Sequence, residues 1–344
     1  MAICERIAVF GCKATTRFLL EHLDIPYPIR FLITLSAEAG IKHQVADYFD
    51  LKPWAEARGM EVYQARYYSL RHPDDLAYLK RLELDLAFVI GWQRLLPAEV
   101  LSALRIGAFG MHGSAVNLPR GRGRSPMNWS LIEGRQAFYT NLFLYDPGVD
   151  SGDIVDTFKF QITPHDTAET LHFKNTLAMK YLIERNIEAL VHNEFRRIPQ
   201  DISLKPTYYP KRTPDDGLID WELDVYALER FIRAVTRPFS GAFTFVNEEI
   251  VRIWRAQVFD LNDFGYERAL PGTVVAVFER GNFLVKCLGG LLLVTEYESK
   301  AAIKRHVRFS NNGRQPRRFP RNPQGFFDLS EADTEENRCV SPEE

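Results

Sequence analysis

Residues 107–134, GAFGMHGSAVNLPRGRGRSPMNWSLIEG, decide how this chain is read. The apolar run 108–112 reads as a buried strand that ends on the imidazole of His112, and a loop of Gly, Arg and Pro follows it. The carboxyl end of a strand is where open α/β sheets place their ligands. Small residues in the loop, Ser114 among them, let a substrate approach the backbone. Arg120, Arg122 and Arg124, interleaved with glycines, suit a phosphate or carboxylate. The alternative is a solvated basic loop.

Upstream the chain alternates short apolar runs with helical patterns. Residues 6–10, 29–35, 62–63 and 84–90 read as strands, and 15–23, 44–58, 73–82 and 97–104 as helices. This alternation predicts an α/β fold, a mainly parallel, doubly wound sheet covered on both faces. Residues 166–195 read as one long helix packed on that sheet, with Asp166 as N-cap and Glu169 as its capping-box partner. From 241 onward the runs AFTFV, IVRIWRAQV, TVVAVF, NFLVKCL and LLLVTEY, separated by turn residues, predict a small β-barrel-like C-terminal domain, preceded by a helix over 225–235. The expected organisation is a catalytic domain over 1–200, a linker over 201–217, a β-rich, OB-like domain over 218–328 and an acidic, disordered tail over 329–344. A chain of 344 residues suits about two domains.

Composition narrows the function classes. Hydrophobic residues make up 46% and charged residues 26%, as in soluble globular proteins, and the net charge of -2 gives no overall pull toward nucleic acid or an anionic membrane. Cys4, Cys12, Cys287 and Cys339 are scattered, without a C-x-x-C pair, which argues against zinc and disulfides and for a reducing, cytoplasmic location. No apolar stretch reaches about 18 residues and the first residues lack a secretory pattern, so neither a membrane span nor export is predicted. There is no G-x-G-x-x-G and no P-loop, so the sheet need not hold a dinucleotide.

A second polar cluster follows a strand at residues 141–155, NLFLYDPGVDSGDIV, with Asp146, Asp150 and Asp153 in one tight loop. A carboxylate beside an imidazole favours its charged form and fixes its tautomer. The alternative is that these aspartates only cap turns, and for Asp153 that reading is as good as any.

Taken together, these motifs resemble the folate-dependent formyltransferase family, whose members include methionyl-tRNA formyltransferase, glycinamide ribonucleotide transformylase and the amino-sugar formyltransferases. The family pattern is Asn-x-His-x-Ser, Leu-Pro, Arg-Gly-x-x-Pro and then Asp-x-Gly-Asp. Its counterparts here are His112-Gly113-Ser114, Leu118-Pro119, Arg122-Gly123-Arg124-Ser125-Pro126 and Asp150-Ser151-Gly152-Asp153. The resemblance implies the formyltransferase fold and 10-formyltetrahydrofolate as co-substrate, with no metal. It implies His112 and Asp150 as the catalytic pair, and a pterin held by Ile90, Gly91, Trp92 and Arg94 and by the loop starting at Asp146. Trp92 is equally well read as a core residue.

The family's catalytic Asn precedes the His by two residues, and that position is Gly110. Its amide serves the oxyanion in the family, so another donor is needed. Asn117, within an extra two residues before Leu118-Pro119, is the first candidate, and Asn141 the second. Residues 207–221 resemble the enzymes acting on nucleotide-linked amino sugars. With Ser114, Arg120, Arg122 and Arg124 on the acceptor, such a sugar is the expected small-molecule amine. Methionyl-tRNA is the less favoured acceptor, with residues 304–321 as its basic support. A formyl-folate hydrolase and a non-catalytic folate-binding protein are the readings outside amine transfer. A homodimer through the β-rich domain remains an open expectation.

Overall fold

The computed structural model describes residues 4–330 and Asp333, so the acidic tail expected over 329–344 falls mostly outside the described residues. The first half builds β1 (Ile7–Phe10), α1 (Ala14–His22), β2 (Ile29–Thr34), α2 (Ala37–Lys42), α3 (Lys52–Glu56), β3 (Glu61–Gln64), α4 (Pro73–Arg81), β4 (Leu86–Val89), α5 (Ala98–Leu101) and β5 (Gly107–Ser114). It continues with β6 (Arg122–Gly123), α6 (Pro126–Ile132), β7 (Ala137–Leu144), β8 (Ile154–Gln161) and α7 (Ala168–Val191). The seven-stranded sheet runs β3-β2-β1-β4-β5-β7-β8. Pairing is parallel from β3 through β5 and antiparallel across β5, β7 and β8.

The strand order reverses between β1 and β4, and the crevice outside their carboxyl ends is where such sheets take ligands. The central parallel strands β1 and β4 are apolar and buried throughout because helices cover both faces, whereas the edge strand β3, EVYQ, is partly exposed. Ile7, Val9, Leu32, Phe88 and Phe109 pack with Leu182, Ile183 and Ile187 of α7. On the opposite face Ala8, Phe10, Ile33 and Val89 pack with Leu79, Val100 and Leu104. His112 falls on this second face, in step with Ala108 and Gly110, because strand side chains alternate.

Two sequence expectations shift locally. The helix expected over 44–58 shrinks to α3, because Gln44 and Asp47 take left-handed backbone with φ of 47° and 61°. The cap of α7 is Thr167, reciprocally bonded with Thr170, rather than Asp166 with Glu169. The Asp166 carboxylate is used by the turn before the helix, accepting from the Thr163 amide and hydroxyl and from Lys174.

Residues 201–217 do more than connect. They carry β9 (Tyr208–Tyr209), which pairs in parallel with β6, matching Arg122 to Tyr208 and Gly123 to Tyr209. α8 (Val225–Val235) follows with the boundaries its periodicity predicts, and buries Leu228, Phe231, Ile232 and Val235. These share one core with Leu131, Phe138 and Leu171 of the first half. Strands β10 (Ala242–Val246), β11 (Glu249–Asp260), β12 (Val274–Val277), β13 (Phe283–Cys287) and β14 (Gly290–Ser299) form a five-stranded antiparallel sheet ordered β10-β11-β14-β13-β12. The segment after β14 bridges Phe245 to Ser310 and Thr273 to Arg308, which ties the sheet's two edges together and gives it a barrel-like closure. Beyond that, Phe319 and Phe327 pack on Trp129 of α6, and Arg321 pairs with Glu133 at 2.7 Å, so the chain returns to α6 of the first half.

The start of the sheet is clamped by Asp85, which is 8% exposed and accepts from the amides of Glu5 (2.9 Å) and Arg6 (3.0 Å) and from Arg105. Burial pushes its carboxyl up, but these donors outweigh it and hold it below the usual range. The stabilisation is therefore present above the unfolded pKa and is lost as pH falls through the lower folded one. Asp85→Asn should lower stability by about 2 kcal/mol at pH 7 in a denaturant titration, with the gap narrowing below about pH 4. A gap that does not change with pH contradicts this role.

Candidate active site

His112 is 7% exposed and both ring nitrogens are engaged. Nε2 lies 2.7 Å from the Gly121 carbonyl, which can only accept, so Nε2 carries hydrogen. Nδ1 faces Asp150 Oδ2 at 3.4 Å. In neutral His112, Nδ1 is then the free base, and a proton arriving there makes an ion pair with Asp150. That arrangement accepts a proton from a nucleophile and holds the resulting charge.

Asp150 is placed by a braced loop. Its backbone is left-handed, with φ of 50°, a conformation Asp tolerates better than most residues. Its Oδ2 also accepts from the Gly123 amide at 3.1 Å. Gln200 donates from Nε2 to the carbonyls of Asp150 (2.8 Å) and Gly152 (2.9 Å), and its Oε1 accepts from Arg122 Nη2 at 2.6 Å. Gly152 is required by space, since a Cβ there would lie 1.7 Å from the Leu144 carbonyl oxygen. Gly121, which holds His112, donates its own amide to Thr207 Oγ1 at 2.9 Å. The β6–β9 pairing thus holds the whole loop against residues 200–209.

The other candidates separate. Ile90, Gly91, Trp92 and Arg94 line the carboxyl end of β4. The Ile90 carbonyl accepts from Thr16 at 2.6 Å and the Gly91 carbonyl accepts from Cys12. Trp92 is a core residue, set edge-on to Phe10 and Tyr68, yet its indole Nε1 is buried with no hydrogen-bond partner among the described residues, as is Arg94 Nε. Asp146 holds its own loop, accepting from the Gly148 amide and the Ser151 hydroxyl. Ser114 is fully buried, and the exposed Asn117 spends its Oδ1 on the Leu118 amide at 3.1 Å. Arg120 stacks over Phe326. Arg122, expected on the acceptor, is 7% exposed and serves as the brace on Gln200.

Arg124 instead opens onto a cavity of about 170 Å³, lined also by Lys211, Arg317, Arg318, Phe319 and Asp333. Burial lowers the Lys211 pKa, and the charges of Arg124 and Arg94 push it the same way, so these cations crowd one region. Arg317 and Arg318 are anchored on Asp216 and Asp220. Gln200, Thr207 and Lys211 were not foreseen from sequence, where nothing marks a lone Gln, Thr or Lys in a polar stretch. Among the described residues no group of His, Cys, Asp and Glu could hold a metal ion.

A family model for formyl transferase matches residues 32–184, and one for the formyl transferase C-terminal domain matches 211–312. The chain belongs to the formyl transferase family.

Solved members of this family share the fold. An N-formyltransferase from Helicobacter canadensis, in complex with folinic acid and dTDP-3-aminofucose, is 17% identical with a TM-score of 0.61, over 85% of this chain and 99% of that one. HypX from Aquifex aeolicus in complex with tetrahydrofolic acid is 17% identical with a TM-score of 0.58, over 86% of this chain and 44% of its own. Methionyl-tRNA formyltransferase from Clostridium thermocellum is 16% identical with a TM-score of 0.50, over 73% and 92%.

In this formyl transferase the donors Trp92 Nε1 and Arg94 Nε, beside the carboxyl end of β4, lack a hydrogen-bond partner among the described residues. At position 110, where the family pattern has Asn, a Cβ would lie 1.9 Å from Tyr145 Cε2, so Gly110 and the Tyr145 ring fit together. Gln200→Ala should cut turnover on the order of 10²-fold by loosening the Asp150 loop, with the thermal unfolding midpoint little changed. Wild-type turnover in that variant contradicts the bracing.

Proposed function

We propose that this formyl transferase moves the formyl group of 10-formyltetrahydrofolate to the amine of a nucleotide-linked amino sugar, with His112 and Asp150 as the catalytic pair. One observation carries the acceptor. The Gly123 amide binds Asp150, and the next residue, Arg124, lines a cavity in which it, Lys211, Arg317 and Arg318 outnumber the one carboxylate, Asp333. One short loop therefore joins the proton-accepting pair to an anion site. An amino-sugar nucleotide offers both chemistries, an amine at one end and a diphosphate at the other. A space of about 170 Å³ suits a phosphate-sized group better than the long run of phosphates on a tRNA. The Helicobacter canadensis complex, with a folate and a nucleotide-linked amino sugar, supports the same reading.

The unprotonated amine attacks the formyl carbon, forming a C–N bond and a tetrahedral oxyanion. The amine's proton goes to His112 Nδ1, and Asp150 stabilises the imidazolium. Collapse breaks the bond from the formyl carbon to N10. His112 returns the proton to N10, and tetrahydrofolate leaves.

His112→Ala and Asp150→Asn should each reduce tetrahydrofolate release by 10²-fold or more. Wild-type turnover in both sinks the assignment. A screen of nucleotide-linked amino sugars beside initiator methionyl-tRNA tests the acceptor. Arg317→Ala combined with Arg318→Ala should raise the sugar's KM about 10-fold, as expected for a lost charge-assisted contact, and leave the folate KM unchanged. Preferential formylation of tRNA, or formate release that needs no amine, overturns the sugar assignment.

A further inference from the structure

The reaction needs a donor for the oxyanion, and Gly110, packed against the Tyr145 ring, has no side chain to supply one. Asn117 is exposed and caps its own turn through Oδ1. Asn141 is different. It lies on β7 directly opposite His112 in the β5–β7 register. Opposed residues in an antiparallel pair project to the same face, with Cβ atoms about 4.5–5.5 Å apart. Asn141 is completely buried, and its Oδ1 accepts from Thr157 Oγ1 at 2.6 Å, on the adjacent strand β8. That bond fixes the carboxamide and leaves Nδ2 without a hydrogen-bond partner among the described residues. A buried donor left unpaired carries its full desolvation penalty, so native proteins rarely keep one without a use.

We infer that Asn141 supplies the oxyanion donor of this enzyme, from the strand beside His112 rather than from the histidine's own strand. The inference rests on the formyl-transfer reading. Thr157 is a positioning residue: its hydroxyl aims Nδ2 at the formyl oxygen while His112 Nδ1 takes the proton. The donor is pre-aimed and dry, the condition under which one hydrogen bond weighs most in a transition state.

The test measures release of tetrahydrofolate from 10-formyltetrahydrofolate with hydroxylamine as a small acceptor amine, alongside calorimetric binding of 5-formyltetrahydrofolate. Asn141→Asp, near-isosteric but without the donor, should lower kcat by on the order of 10²–10³-fold while folate binding stays at the wild-type value. Asn141→Ser, smaller and uncharged, is the second variant should the aspartate destabilise the fold, and should lower kcat likewise. Thr157→Val should lower kcat less than either, and Tyr145→Phe should leave it unchanged. Wild-type kcat in both folded Asn141 variants, or a large loss confined to Tyr145→Phe, overturns the inference. Wild-type kcat in His112→Ala would instead strike the formyl-transfer reading itself, so the two failures are distinguishable.

Discussion

The hydrogen bond from His112 Nε2 to the Gly121 carbonyl, at 2.7 Å, is the contact on which the geometry of the His112–Asp150 pair depends. A carbonyl cannot donate, so it fixes the tautomer and leaves Nδ1 as the basic nitrogen. Nδ1 then faces Asp150 at 3.4 Å, the loose end of hydrogen-bond reach. The pair gains most when Nδ1 becomes protonated, which in the proposed reaction is the moment the amine has surrendered its proton. Much of the surrounding structure holds Gly121 and Asp150 to this arrangement.

That work falls on segments far apart in sequence. Thr207 fixes Gly121, Gln200 fixes the Asp150 loop through two carbonyls, and Arg122 fixes Gln200. The β6–β9 pairing brings these together. Residues 200–209 therefore belong mechanically to the catalytic loop. The C-terminal half adds a further layer. α8 shares its core with Leu131 and Phe138, Asn128 donates to the Ala234 carbonyl at 2.7 Å, and Trp129 donates to the Pro210 carbonyl at 2.8 Å. Arg317, Arg318 and Arg321 pair with Asp216, Asp220 and Glu133, so part of the basic run near the C-terminus is matched by acidic partners.

The parallel half of the sheet, α8 and the five C-terminal strands were legible in the sequence because their burial patterns are periodic and local. The placement of His112 and Asp150 was legible through strand ends and motif order. α2 was missed, since AEAGIK has little apolar face, and the 44–58 helix was overdrawn because nothing local announces left-handed backbone at Gln44 and Asp47. Arg122 read as a ligand residue because an arginine among glycines looks solvated, and its burial follows from Gln200, 78 residues away. Asn141 ranked behind Asn117 because pairing register across β5 and β7 cannot be read from spacing, although that register sets it beside the histidine.

The central claim concerns one proton. Nitrogen-15 NMR of the His112 imidazole, assigned by comparison with His112→Ala and taken with the ring neutral, reads the tautomer directly. The account predicts hydrogen on Nε2 and a bare, basic Nδ1 toward Asp150. Hydrogen on Nδ1 with Nε2 bare would contradict it, because the Gly121 carbonyl would then face a lone pair and Asp150 could only orient the ring.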